Sequence, residues 1–182
     1  GQFDFNLYDD AVATFARDDV GFDRLTNSLR ESLNYYGDHN LMGYITGNQD
    51  RARFISYADG SIRFDEDAKL AGWTRNIEIQ DTVAYDKLAS MTAFMMAIPG
   101  IPVIYYGDEI GLPGGNDPDN RRMMQFEKLS DHQQWHFTKI KQLINFRRSN
   151  LPLIYGDTRI LTESDELLVL ERRYFTERVL CL

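Results

Sequence analysis

The pattern of apolar and polar residues predicts strands that alternate with helices over the first 150 residues. Phe3-Asp4-Phe5-Asn6-Leu7 alternates with a period of two, which predicts a half-buried strand. Residues 41–46 and 101–106 are apolar runs that end abruptly in polar clusters, as strands do when they emerge from a buried sheet. We therefore expect three strands in this part of the chain.

Helices are predicted between and after these strands. Apolar side chains recur at helical spacing over residues 23–36, and Gly37 is a suitable end for that helix. A second helix, apolar enough to be largely buried, is predicted from Thr82 until Pro99-Gly100 stops it. A third begins with the capping-box pattern at Ser130 and runs to about residue 149. Strand–helix units of this kind favour an α/β fold.

The pattern changes near residue 150. Residues 154–161, 167–173 and 178–182 have the composition of short antiparallel strands separated by polar turns. The sequence therefore predicts a first region of strand–helix units, residues 1–150, and a β-rich region, residues 151–182. The chain opens within an apparent strand and closes on an apolar run, so we expect it to be a piece of a longer protein.

One long connection, residues 58–81, has no clear periodicity. Loops of this length in compact domains often act as lids or binding loops. Trp73 lies within it, and two interpretations stay open: the indole stacks on a ligand, or it pins the loop to the body of the protein.

Composition narrows the choice of partners. The chain has 182 residues, of which 43% are hydrophobic, so it can build a core. A net charge of −8 argues against nucleic acid or an anionic membrane as partner, and leaves neutral substrates such as sugars open. Cys181 is the single cysteine, which excludes an internal disulfide. No apolar run is long enough to span a bilayer.

Carboxylates follow two of the predicted strands. Asp50 comes after the second strand, and Asp108 and Glu109 come after the third. Paired carboxylates in a pocket are the groups that cleave glycosidic bonds. Carboxylates at strand ends also commonly hold arginines or cap loops, and spacing alone favours that structural interpretation.

Metal-ligand patterns are weak. Counted from Asp117, a calcium loop of the EF-hand type would need glycine at the position of Arg122 and glutamate at the position of Lys128. We interpret the histidines as surface or capping residues, because the intervening Glu of a zinc protease motif is absent; they are His39, His132 and His136.

Taken together, the motifs resemble the α-amylase superfamily of glycoside hydrolases. Residues 44–53, Tyr-Ile-Thr-Gly-Asn-Gln-Asp-Arg-Ala-Arg, are similar to its fourth conserved region, which usually reads Asn-His-Asp followed by Arg. Residues 99–109 resemble its eighth barrel strand, residues 117–122 resemble the loop that follows, and residues 3–5 resemble its sixth strand.

This resemblance implies a fold and a division into domains. Residues 1–150 would form strands six to eight of a (β/α)8 TIM barrel, the C-terminal part of the catalytic domain. Residues 151–182 would begin an antiparallel C-terminal β-sandwich. Three parallel strands cannot close a barrel. We therefore expect the open edges to be covered by the missing N-terminal half of the barrel or by self-association.

The implied activity is that of a retaining α-glucan hydrolase of the amylase, neopullulanase or cyclomaltodextrinase kind, acting on α-glucans or maltooligosaccharides. The family's nucleophilic Asp and acid/base Glu would lie upstream, so this chain alone is expected to be inactive. Asp50 would be the third catalytic residue, the transition-state stabiliser. Asn48 and Arg53 would orient and support it. Gln49 stands where histidine is usual; it can donate a hydrogen bond but cannot be charged.

The resemblance also places five residues of this chain among the substrate-binding residues: Asn48, Gln49, Arg53, Asp117 and Arg121. It implies no cofactor and no resident metal, although structural calcium in the parent protein is left open. It implies a bacterial-type enzyme and does not decide between periplasmic, extracellular and cytoplasmic locations. Two alternatives remain: a non-catalytic amylase-like barrel used for protein interaction, and a transglycosylase or isomerase on the same scaffold.

Overall fold

A computed structural model describes residues 2–182 of the chain. Strands β1 (Gly43–Ile45) and β2 (Ile101–Val103) pair in parallel, with Gly43 opposite Ile101 and Ile45 opposite Val103. Phe3 forms a parallel bridge to Gly43 on the other side. Three separate segments therefore run side by side in one direction, which places the residues that follow β1 and β2 at the same edge of the sheet.

The strand predicted over residues 3–7 is wrong beyond its first residues. Helix α1 (Phe5–Ala16) begins there instead, and the Asp4 carboxylate accepts a hydrogen bond from the Leu7 amide at 3.0 Å. An aspartate in this position satisfies one of the unpaired N–H groups of the first helical turn. This capping bond explains why the alternating residues wind into a helix.

The remaining helices of the first region pack around the parallel strands. The prediction for residues 23–36 is confirmed by α2 (Phe22–Tyr36), and Gly37 ends it at a φ of 76°. The connection predicted to be irregular contains a short helix capped by Asp67. In chain order the further helices are α3 (Phe54–Ala58), α4 (Ala68–Thr74), α5 (Val83–Ala97), α6 (Asp131–Ser149) and α7 (Leu151–Tyr155).

The predicted capping box is present at the start of α6, where the Ser130 and Gln133 side chains each bond the other residue's backbone. Trp73 lies on α4 with 68% of its surface exposed, so the interpretation that it pins the loop to the body is wrong. No helix within residues 2–182 has both the length and the apolar character that crossing a membrane requires.

The second region is an antiparallel sheet in the order β3 (Asp157–Glu163), β4 (Leu168–Tyr174), β5 (Glu177–Cys181). The predicted first strand starts later than expected, because α7 occupies residues 151–155. Leu168 and Leu170 of β4 join the core that α1, α2 and α5 form around the parallel strands. The sheet is therefore packed onto the helices through one continuous apolar cluster.

Candidate active site

The candidate site lies at the carboxyl edge of the two parallel strands. The Thr46 amide donates to the Val103 carbonyl at 3.0 Å, and the Thr46 hydroxyl accepts from the Tyr105 amide at 3.2 Å. These bonds hold the two departing segments together just beyond the strands. The side chains that follow them consequently converge, although they are more than fifty residues apart in sequence.

Asp50 lies in a turn that presents its carboxylate to solvent. Its side chain is 67% exposed. The backbone amide of Asp50 donates to the Asn48 side-chain oxygen at 2.9 Å. The side-chain Nε2 of Gln49 donates to one Asp50 carboxylate oxygen at 3.1 Å. Asn48 itself is buried, so it holds the turn from below. That position supports an orienting role and corrects the expectation that Asn48 touches a substrate.

Asp117 and Arg121 lie beside Asp50. Arg121 Nε pairs with Asp117 at 2.9 Å, and Arg121 Nη2 lies 3.7 Å from the Asp50 carboxylate. The same guanidinium donates to the Gln49 carbonyl at 3.2 and 3.3 Å. The structure thus brings together four of the residues predicted from the sequence, and all four are accessible: Gln49, Asp50, Asp117 and Arg121.

Arg53 is buried and does not belong to this exposed group of residues. Its side chain is 1% exposed, and its Nη1 donates to Asp108 Oδ1 at 2.9 Å and to the Tyr106 carbonyl at 2.6 Å. Its guanidinium also lies 4.2 Å from the centre of the Tyr105 ring. The expectation that Arg53 binds substrate is therefore corrected, because a group buried in this way cannot reach a sugar. It supports the site from beneath.

Asp108, the other strand-end carboxylate, is a buried structural group. Thr46 donates to it at 2.6 Å, in addition to the bond from Arg53. Burial raises the pKa of Asp108, and the charge of Arg53 and the hydrogen bond from Thr46 oppose that shift. Glu109 accepts a hydrogen bond from the Gly107 amide at 2.6 Å and so closes a local turn. Asp50 is thus the exposed carboxylate among these three.

His136 corrects the interpretation of the histidines as surface or capping residues. Helix α6 carries its imidazole into the interior, where it is fully buried and Nε2 lies 3.0 Å from the Asp108 carbonyl. Burial lowers the pKa of His136 to about 4. The ring is therefore neutral at neutral pH. Its partner is a backbone group, so no metal is needed to account for its position.

Asn120 is a site residue that the sequence reasoning missed. It lies in a short 3-10 helix, Asp119–Arg121, and its side chain is fully buried. Its amide nitrogen donates to the Arg51 carbonyl at 2.7 Å and to the Asn48 carbonyl at 3.3 Å. The one available signal was its place within residues 117–122, the loop after the third predicted strand, directly before Arg121. Within residues 2–182 no three His, Cys, Asp or Glu side chains are grouped so as to hold a metal ion.

The chain is similar in sequence to two bacterial cyclomaltodextrinases. The chain is 31% identical over 165 residues to a cyclomaltodextrinase of Thermoanaerobacter pseudethanolicus, covering 90% of this chain and 25% of the relative. It is 28% identical over 172 residues to a cyclomaltodextrinase of Geobacillus thermopakistaniensis, covering 91% of this chain and 25% of the relative. The chain thus spans about a quarter of the length of these relatives. No family model matches the chain.

Solved structures agree with the sequence relatives. An Anoxybacillus α-amylase superposes with a TM-score of 0.75 and 27% identity, over 98% of this chain and 34% of that one. The α-amylase of Geobacillus thermoleovorans, solved in complex with acarbose, gives a TM-score of 0.74 and 28% identity, over 98% and 35% of the two chains. Almost the whole chain therefore shares its fold with about a third of these enzymes.

Proposed function

Because the chain belongs to the α-amylase superfamily of glycoside hydrolases, we propose that it supplies part of the active site of a retaining α-glucan hydrolase. The observation that carries this proposal is the exposed Asp50 carboxylate at the carboxyl edge of the parallel strands, surrounded by Gln49, Asp117 and Arg121. Catalytic groups occupy that edge in TIM-barrel enzymes.

In this proposal residues 1–150 are strands six to eight of the catalytic barrel, and residues 151–182 begin the C-terminal β-sandwich. The parallel neighbours Phe3, Gly43 and Ile101, and the antiparallel sheet after α7, support this division. The half-exposed Phe3 and Ile101 side chains lie at the two outer edges of the parallel sheet. The N-terminal half of the barrel would cover both edges and close the sheet.

Asp50 acts by binding hydroxyls of the sugar whose glycosidic bond is cleaved. Cleavage passes through an oxocarbenium-like transition state, and hydrogen bonds that strengthen as charge develops contribute several kcal/mol to rate. Gln49 and Arg121 both contact the Asp50 carboxylate, so both lie within reach of a sugar bound there. Polar groups with fixed directions suit a neutral, hydroxyl-rich substrate such as an α-glucan or maltooligosaccharide.

The nucleophilic Asp and the general-acid Glu of this mechanism would lie in the N-terminal half of the barrel. Asp108 cannot substitute for either, because it is buried against Arg53 and Thr46. We therefore expect purified residues 1–182 to release no reducing sugar from starch or pullulan. Measurable turnover by this chain alone would contradict the proposed division of catalytic groups.

The decisive experiment replaces Asp50 in the full-length protein. Asp50→Asn removes the charge that stabilises the transition state, so kcat should fall about a hundredfold or more while the fold is kept. Asp65→Asn is the matched control, because Asp65 is an exposed aspartate paired with Arg63 in a different loop. Near-wild-type turnover of the Asp50 variant would show that this carboxylate is not catalytic.

The same assay separates the remaining functions. Analysis of the products from maltooligosaccharides distinguishes hydrolysis from transfer to a second sugar and from isomerisation. A full-length wild-type protein with no activity on any α-glucan would instead support the non-catalytic barrel, in which the carboxylate edge serves protein interaction.

A further inference from the structure

The placement of the Asp50 carboxylate depends more on its backbone turn than on packing around its own side chain. Two-thirds of the side chain is exposed, so surrounding atoms restrict it little. Catalytic groups are sensitive to placement, and a shift of about 1 Å can cost on the order of a hundredfold in rate. Whatever holds residues 48–51 therefore matters for the chemistry proposed above.

Asn120 holds this turn from within the protein. Its Nδ2 donates to the carbonyl of Arg51 at 2.7 Å and to that of Asn48 at 3.3 Å, so it bonds the backbone on both sides of Asp50. These bonds join residues 69 and 72 positions apart. The two facing carbonyls also assign the nitrogen to that side of the amide, because an oxygen there would be repelled.

Asn120 is itself anchored in the core. Its backbone carbonyl accepts a hydrogen bond from Arg53 Nε at 3.0 Å, and Arg53 is paired with the buried Asp108. Thr46, directly after β1, also donates to Asp108. A continuous set of buried contacts thus runs from the strand ends through Arg53 to Asn120 and then to the turn.

The side chain of Asn120 does more than fill space in the core. It is fully buried, yet its Oδ1 has no hydrogen-bond partner among the described residues. Burying an unpaired polar atom is unfavourable, and an apolar side chain of similar size would avoid that cost. What an apolar side chain would lack is the pair of donors that hold the Asp50 turn.

We propose that Asn120 is a positioning residue, whose side-chain amide fixes the Asn48–Arg51 turn and thereby sets the direction of the Asp50 carboxylate. This inference rests on the proposed function, because it concerns the efficiency of Asp50 in catalysis. Arg121, the next residue, contacts the same turn from the solvent side at the Gln49 carbonyl. The turn is thus held between adjacent residues of one loop.

The test uses two variants in the full-length protein. Asn120→Ala removes both donors without adding charge, and Asn120→Asp is isosteric but presents a carboxylate to two carbonyls. Because the turn should matter most in the transition state, we expect kcat to fall about 10- to 100-fold while KM changes less than about threefold. Asn40→Asp is the matched control. Asn40 also donates to a backbone carbonyl, that of Gly37, and lies before β1 at the opposite edge of the sheet.

A double-mutant cycle separates positioning from general destabilisation. If Asn120 acts through Asp50, then Asn120→Ala should reduce kcat less than about threefold further in an Asp50→Asn background, since the residue it positions is already disabled. A maltosyl fluoride substrate, with its good leaving group, keeps the residual rates measurable. Equal losses in both backgrounds would overturn the proposal.

Amide hydrogen exchange provides a readout that does not depend on activity. In the full-length protein Asn120→Ala should speed exchange in peptides covering residues 46–53, with exchange in α5 and the thermal midpoint changed little. Unchanged exchange in that segment would overturn the positioning role even in a protein with no α-glucan activity. A full-length wild-type protein with no activity on any α-glucan would overturn the proposed function alone. The two failures are therefore distinguishable.

Discussion

Arg53 and Asp108 form an ion pair 2.9 Å apart, with side chains only 1% and 5% exposed, at the point where the two parallel strands end. Arg53 also donates to two backbone carbonyls, those of Tyr106 and Asn120. A planar guanidinium can satisfy several acceptors at once in fixed directions, which a lysine could not do. The pair therefore fastens the loops after β1 and β2 to each other beneath the exposed Asp50.

Asp108→Ala should strongly destabilise the protein. The substitution leaves the Arg53 charge buried without its partner, and breaking a buried pair in this way costs roughly 3–5 kcal/mol. Urea unfolding followed by circular dichroism measures the change. Asp65→Asn, which removes an exposed ion pair with Arg63, should leave the unfolding midpoint unchanged. Equal midpoints for the two variants would contradict a structural role for Asp108.

Stability should fall as the pH drops from about 6.5 to about 4, in part because of His136. Its pKa is lowered by burial from 6.5 to about 4. Between these values the unfolded chain binds a proton that the folded protein does not, so acid favours unfolding, by up to about 3 kcal/mol. The raised pKa of Asp108 has the opposite effect on stability. As the pH falls, the folded protein takes up a proton at Asp108 before the unfolded chain does, so acid favours folding there.

Comparison with His136→Gln isolates the histidine, since glutamine can still donate to the Asp108 carbonyl but does not titrate. Unfolding free energies of both proteins, measured from pH 7 to pH 4, should converge as the pH falls. Parallel curves would show that His136 is not the group responsible.

Arg172→Leu should loosen the antiparallel sheet from the helices. Arg172 is fully buried and donates to the Ala97 carbonyl at 2.5 Å and to the Gly156 carbonyl at 2.8 Å. Removing these donors leaves two carbonyls unpaired, that of Ala97 at the end of α5 and that of Gly156 after α7, which costs about 1–3 kcal/mol. Hydrogen exchange at the C-terminal end of α5 and in β3–β5 should increase. Arg173→Leu, at the exposed neighbouring position on β4, is the control and should not change exchange at α5.

Gly100→Ala should destabilise the junction between α5 and β2. Gly100 has a φ of 91°, and a Cβ there would lie 2.5 Å from the Tyr44 ring and 2.8 Å from the Met42 carbonyl oxygen. Overpacking of this kind typically costs about 1–3 kcal/mol, in addition to the backbone strain. Gly60→Ala separates the two effects, because Gly60 has a φ of 80° and a Cβ added there would meet nothing within 4 Å.

Thermal unfolding of both glycine variants makes the comparison. The midpoint of Gly100→Ala should fall further than that of Gly60→Ala, since strain alone acts at residue 60. Equal shifts would mean that the close approach of Tyr44 and Met42 to Gly100 is relieved by movement of their side chain and backbone.

Local sequence signals predicted the three long helices α2, α5 and α6, and they failed at α1, where two local signals competed. The capping box at Ser130 and the stop at Gly37 depend on contacts within a few residues, so they could be recognised without tertiary information. Residues 3–7 alternate like a strand, but Asp4 is also a helix cap, and the cap prevailed from Phe5 onward. The apolar runs of β1 and β2 likewise indicated that Asp50 would emerge at a sheet edge.

By itself, then, the sequence determined the places of β1, β2 and the long helices α2, α5 and α6, and the motif that carries Asp50, because short-range periodicity and capping determine them. Only the tertiary structure decided that Arg53 is buried against Asp108 and that Asn120 reaches the carbonyls beside Asp50. The physical reason is the parallel pairing of β1 with β2, which brings loops from distant parts of the chain to one edge. No local pattern encodes which polar groups then meet, or which of them are buried.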